Sequence, residues 1–179
     1  MTPLNCARTK RISKKERGFT FIELAIAIVV LLFGVVAVAE LVPRAIRNNN
    51  GNRQDTIATV IAQRELEQMA LQPLISPAFL DSDGNAMNLG DLTSSGTVAG
   101  SPLITGTATI DFTASKVTGY SMTYVDPNDS QSATYDVRWA VITTLNGARP
   151  TSKRFIVGAW KQPQDTYVQP VNLDTTVQK

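Results

Sequence analysis

The stretch KKERGFTFIELAIAIVVLLFGVVAVAELV, Lys14 to Val42, decides how the rest of the chain is read. Basic residues lead to a single glycine, Gly18. Phe19 follows, then one acid at Glu23, then sixteen residues without charge, Leu24 to Ala39. As a helix, the 21 residues Phe19 to Ala39 rise roughly 32 Å. A bilayer's hydrocarbon core is about 30 Å thick, so the segment is long enough to cross it. The bases in front hold that end in the cytoplasm and leave the C-terminal bulk outside. A secretory signal would place small residues and a cut after the apolar run. Val38-Ala39-Glu40-Leu41 matches that only partly, so the segment reads as an anchor that stays with the protein.

Working outward, the 179-residue chain has room for one ordinary domain beside this anchor. Its net charge of +2 is unevenly spread. Residues 1–18 hold six bases (Arg8, Lys10, Arg11, Lys14, Lys15, Arg17) against Glu16, a net of +5, which leaves the remainder at −3. The basic pI therefore belongs to the N-terminal segment, and nucleic acid is not indicated as a partner. The only cysteine is Cys6, so no internal disulfide forms. Histidine is absent, which removes the commonest general base and metal ligand. With no glycine-rich phosphate loop and no convincing carboxylate pair either, catalysis is not expected, nor is a cofactor or a metal.

Glu23 is the anomaly of the anchor. A carboxylate there costs roughly 2.5–3.5 kcal/mol on insertion scales, so it reaches the interface or has a partner. Here a family resemblance enters. Arg17-Gly18-Phe19-Thr20-Phe21-Ile22-Glu23-Leu24 resembles the class III leader junction of type IV pilins and their relatives. The resemblance is strong over roughly residues 10–50 and in outline beyond. It implies that a prepilin peptidase cuts between Gly18 and Phe19 and methylates the new amine of Phe19. It also implies that Glu23 is an assembly residue, pairing with the Phe19 amine of a neighbouring subunit and so fixing the axial stagger. Residues 1–18 would then be a cleaved leader and 19–42 the transmembrane half of a long N-terminal helix, 19–72. Gly34, without a Cβ, permits close helix packing, although no second glycine stands four residues away. Its place resembles that of the glycine in PilV-like minor pilins. Pro43 kinks the helix as it leaves the apolar region.

Asn48-Asn49-Asn50-Gly51-Asn52 reads as a break, since asparagine and glycine favour turns. A second helical segment fits 53–72, with Asn52 as N-cap. Ile57, Ala58, Ile61, Ala62, Leu66 and Met69 share one side of it, interrupted by Glu65. Residues 74–106 read as loop containing a strand or a turn of helix. Asp81-Ser82-Asp83-Gly84-Asn85 resembles the start of a calcium loop, but lacks the sixth-position glycine and closing glutamate of an EF-hand, so a turn or hairpin is favoured. From Thr107 the pattern has period two: Ala108, Ile110, Phe112; then Tyr120, Met122, Tyr124; then Tyr135, Val137, Trp139, Val141. Asn146-Gly147 marks a hairpin, after which Ser152 to Lys161 returns with Phe155, Val157 and Trp160 beside the preceding strand. Both tryptophans are assigned to core packing. Residues 162–179 read as a polar peripheral tail.

These elements predict an α+β fold. A long N-terminal helix packs its distal half on one face of an antiparallel sheet at about 107–161, within a head of 73–179. The resemblance implies a structural subunit, a minor pilin of a type IV pilus, with an I-type minor pseudopilin of type II secretion as the alternative. A single-span surface ligand-binding protein is a second alternative from a different class. On the pilin reading the partners are prepilin peptidase, other pilin or pseudopilin subunits, an inner-membrane assembly platform and the lipid bilayer. The location is the bacterial inner membrane, with the head outside the cytoplasm, and then a pilus or pseudopilus.

Overall fold

The computed structural model describes residues 18–81, 83–129, 132–163 and 169–178. The expected leader, apart from Gly18, and its Cys6 lie outside these residues. The chain divides into two compact units, 1–46 and 47–179.

One helix, α1, runs Phe21–Leu71. The break expected at Asn48–Asn52 is not there, nor is Asn52 an N-cap: these residues are helical. A helix that is already propagating needs no new nucleus, so each asparagine costs at most about 0.7 kcal/mol and Gly51 about 1 kcal/mol. The Asn52 carbonyl also accepts a bond from the Thr56 hydroxyl at 2.8 Å, and that of Asp55 from Thr59 at 2.7 Å.

The head unit is α+β, as the sequence predicts. Two short strands, β1 (Ala78–Leu80) and β2 (Ala86–Asn88), form a hairpin across the Asp81–Asn85 turn. The main sheet contains β3 (Val98–Gly100), β4 (Ser121–Val125), β5 (Thr134–Asn146), β6 (Arg149–Gln162) and β7 (Val171–Gln178). All its pairings are antiparallel. β5 is flanked on one side by β6 and then β7, and on the other by β3 and β4 along different parts of its length. The β5–β6 turn is Gly147-Ala148, with Gly147 at φ 62°, the left-handed value that the first residue of a type II′ turn takes.

The sheet is covered on both faces, not one. On the first, Tyr135, Val137, Trp139 and Val141 of β5 and Phe155, Val157 and Ala159 of β6 pack against Ala58, Ile61, Ala62 and Met69 of α1. Trp139 stacks edge-on with Phe79 at 5.7 Å and donates its indole N–H to the Asn88 carbonyl at 3.0 Å. On the second face, Ala140 and Ile156 pack with Ile110 and Phe112. Trp160 belongs here, not beside Trp139. It pairs with Asp136, and an even-numbered residue of β6 points away from Phe155 and Val157. It meets Phe112 edge-on at 5.5 Å.

Two other expectations change. Residues 107–112 form no strand beyond a single Leu103–Ile110 bridge. Asp111 turns the chain there by accepting bonds from the Thr113 amide and hydroxyl at 2.8 and 2.6 Å. Residues 171–178, read as part of a polar tail, are the edge strand β7. Val171, Leu173 and Val177 lie against the helix-side core, with Thr175 on the same face, and Asn172, Asp174, Thr176 and Gln178 point away.

Candidate functional site

The candidate site is the start of α1. Gly18, Phe19 and Thr20 are exposed and precede the helix, and no atom approaches within 4 Å of where a Gly18 Cβ would stand. Among the described residues nothing crowds the Gly18–Phe19 bond. Thr20 is the N-cap. Its hydroxyl accepts the Glu23 amide N–H at 3.3 Å, and its carbonyl accepts from the Glu23 and Leu24 amides at 3.1 Å. Glu23 Oε2 returns to the Thr20 amide and hydroxyl, both at a weak 3.5 Å. Thr20-Phe21-Ile22-Glu23 is thus a capping box, which satisfies amides at the helix start in both directions. The T-x-x-E signature stands in the sequence, and reading Glu23 only as an intersubunit partner overlooks it. Its carboxylate also sits where the helix dipole favours negative charge.

Beyond the cap the apolar side chains point outward all round. Phe21 is 87% exposed, and Leu31, Leu32, Phe33, Val35 and Val38 are exposed as well. By length and composition this part of α1 can cross a membrane, and none of its most apolar stretch is buried. A helix apolar on every side belongs in lipid or among other helices. Gly34 has nothing within 4 Å of its Cβ position, leaving its surface open to a neighbour. Pro43 lies inside the helix, removing one backbone bond. The Glu40–Arg44 pair, 3.9 Å apart and exposed, contributes little.

The head carries buried polar groups, of which only Glu65, on the apolar side of the helix, is marked by the sequence pattern. Arg138 donates to Asp136 Oδ2 through Nε and a terminal nitrogen at 3.1 and 2.9 Å, and to the Ala114 carbonyl at 2.7 Å. Its guanidinium lies 5.1 Å from the centre of the Phe112 ring. Lys116 Nζ stands 3.1 Å from Asp136 Oδ1 as an ion pair outside hydrogen-bond alignment. Lys153 is buried and donates to the Ser76 and Leu89 carbonyls at 2.7 and 3.0 Å, tying two loops to the sheet, and burial pushes its ammonium pKa down. Glu65 is 0% exposed, and neither of its oxygens has a partner. Burial raises its pKa, Arg64 opposes the rise, and Asp81 and Asp83 add to it.

The Asp81 carboxylate is occupied by its own turn. It accepts from the amides of Asp83 and Asn85 at 3.0 and 2.7 Å and from the Asn85 side chain at 3.2 Å. Among the described residues, no three His, Cys, Asp or Glu side chains gather to hold a metal.

Residues 13–39 match the family described as the prokaryotic N-terminal methylation motif. The match covers the leader junction and anchor and not the head. No curated protein and no solved structure matched the chain. A leader of this kind implies cleavage by a prepilin peptidase and assembly with other pilin-type subunits. With the apolar helix, it fits a membrane-anchored secreted subunit of pilin or pseudopilin type.

Proposed function

We propose that the chain is a minor pilin. It is inserted in the inner membrane with its head outside the cytoplasm, cut between Gly18 and Phe19, methylated at the Phe19 amine, and drawn from the membrane into a type IV pilus. The observation that carries this reading is the methylation motif at 13–39, together with an N-terminal half of α1 whose apolar side chains stand exposed among the described residues. Such a surface is stable in lipid before assembly and against other helices afterwards. Gly34 is the point of closest approach in that packing, and Pro43 relaxes the helix next to it. The role is structural and not enzymatic.

Glu23 acts twice in this scheme. It caps its own helix, and once cleavage frees the Phe19 amine it offers a carboxylate that a neighbour's amine neutralises as the subunit leaves lipid. The capping bonds at 3.5 Å are weak enough to be exchanged. The partners on this reading are prepilin peptidase, the other filament subunits and the inner-membrane assembly platform. The test is intact-mass measurement of the protein produced with and without prepilin peptidase. Loss of residues 1–18 and gain of one methyl group, both dependent on the peptidase, are expected. An unaltered precursor in both cases refutes the proposal.

A further inference from the structure

The main sheet has two open edges. Among the described residues, no strand pairs with the outer side of β4 or of β7. On β4, the Trp139 amide bonds to the Tyr120 carbonyl at 3.1 Å, and the Asp126 amide to Ala133 at 2.9 Å. Antiparallel bonding alternates, so Met122 and Tyr124 bond inward to β5 while Ser121, Thr123 and Val125 present their backbone groups outward. Between this edge and α1 runs a groove of about 280 Å³, lined by Ile57, Val60, Ile61 and Tyr124 with Arg53 and Asp126 at its rim. Val60, on the helix wall, is 61% exposed. A groove between a helix and an open strand edge takes an extended segment. Backbone amides complete the strand, and alternate apolar side chains fill the groove.

We infer that the occupant is the β7 edge of a second copy of this chain, so that the sheet continues from head to head. The choice rests on the filament reading above, because subunits of a filament all point the same way. Successive antiparallel pairings make β4 run with β6 and against β7. A copy in the same orientation therefore brings its β7 antiparallel to β4, with its helix-covered face on the same side. Pairing β4 with β4, or β7 with β7, needs a two-fold axis that turns the second copy over and closes a dimer. Val171, Leu173 and Val177 stand on the helix side of β7 and are only half-buried at the open edge. In the joined sheet these side chains meet Val60 and Tyr124. The joint is heterologous, and sheet twist rotates each copy relative to the last, giving an open helical series.

The experiment uses the mature chain in mild detergent micelles. Cys6 leaves with the leader on processing, so mature protein carries no native thiol. Thr123→Cys and Thr176→Cys, both exposed and both on the face away from the helix, are mixed and treated with a flexible bismaleimide. A Thr123→Cys to Thr176→Cys product at least fivefold above either like-with-like product is expected. The double variant should give a ladder. Adding Val125→Pro, which removes one outward amide, should reduce that ladder severalfold with an unchanged circular dichroism spectrum. Products only between like variants, no products, or a ladder indifferent to Val125→Pro overturn the inference. The filament reading is judged separately by peptidase-dependent mass loss, so a cleaved chain that fails to cross-link refutes the joint alone.

Discussion

Glu65 offers the sharpest test of how the head is held together. It sits in the stripe of α1 that covers the sheet, between Ala62 and Met69, with both carboxylate oxygens buried and unpartnered. Leaving a buried polar group unsatisfied costs about 1–3 kcal/mol, and more when it is charged. Replacement by an apolar side chain of similar size removes that cost and adds burial. Glu65→Leu is therefore expected to stabilise the head by about 1–3 kcal/mol at pH 7. The change corresponds to a Tm increase of roughly 3–10 °C for a unit of this size. Because burial raises the carboxyl pKa in the fold, the protonated form is the one the fold tolerates. The penalty is absent below the ordinary value of 4.5, grows as pH rises through the raised folded value, and is constant above it. The wild type should thus lose stability with rising pH across that window. Glu65→Gln, which cannot ionise, should lose this part of the pH dependence. Thermal melts followed by the fluorescence of the buried Trp139, from pH 4 to 8, measure both effects. If Glu65→Leu is less stable than wild type by more than about 1 kcal/mol and Glu65→Gln leaves the pH profile unchanged, the carboxylate has a partner and the reasoning fails.

Three further outcomes follow from individual contacts. A Cβ at Gly158 would stand 2.9 Å from a Phe112 ring carbon and from Asn172 Oδ1, so Gly158→Ala should cost about 1–3 kcal/mol in urea unfolding; a neutral result would mean that Phe112 repacks freely. Asp136→Ala strands the buried Arg138 guanidinium and should cost about 3–5 kcal/mol, measured the same way, whereas the exposed Arg154–Asp174 pair at 2.6 Å should tolerate Asp174→Ala with a change below about 1 kcal/mol. Thr20→Ala and Glu23→Ala each break the capping box, at about 0.5–2 kcal/mol of helix stability, and both should still be cleaved after Gly18. In a filament incorporation assay only Glu23→Ala should be excluded, and equal incorporation of the two variants would confine Glu23 to its own helix.

What was legible in the sequence was what local chemistry decides. The alternation Tyr135, Val137, Trp139, Val141 and the turn glycine Gly147 specify the β5–β6 hairpin, because strand period and turn geometry depend on residues close in the chain. Burial set by residues far apart was not legible. Lys153 is held by carbonyls 64 and 77 positions away, and no pattern around it announces an interior cation. The β7 strand is written in the sequence but masked by its composition: Val171, Leu173, Thr175 and Val177 alternate with Asn172, Asp174, Thr176 and Gln178 in a stretch as polar as a tail. At the candidate site both kinds of information meet. Gly18, Phe19 and Glu23 stand out because an acid before an apolar run demands an explanation, while the Thr20–Glu23 box shows that the explanation begins inside one chain. A carboxylate used only to cap would serve as well on a shorter apolar run, and one used only between subunits would need no threonine three residues before it. Having both ties the proposed release from the membrane to the local exchange of two weak hydrogen bonds for an ion pair, a step in which the helix keeps its dipole partner throughout.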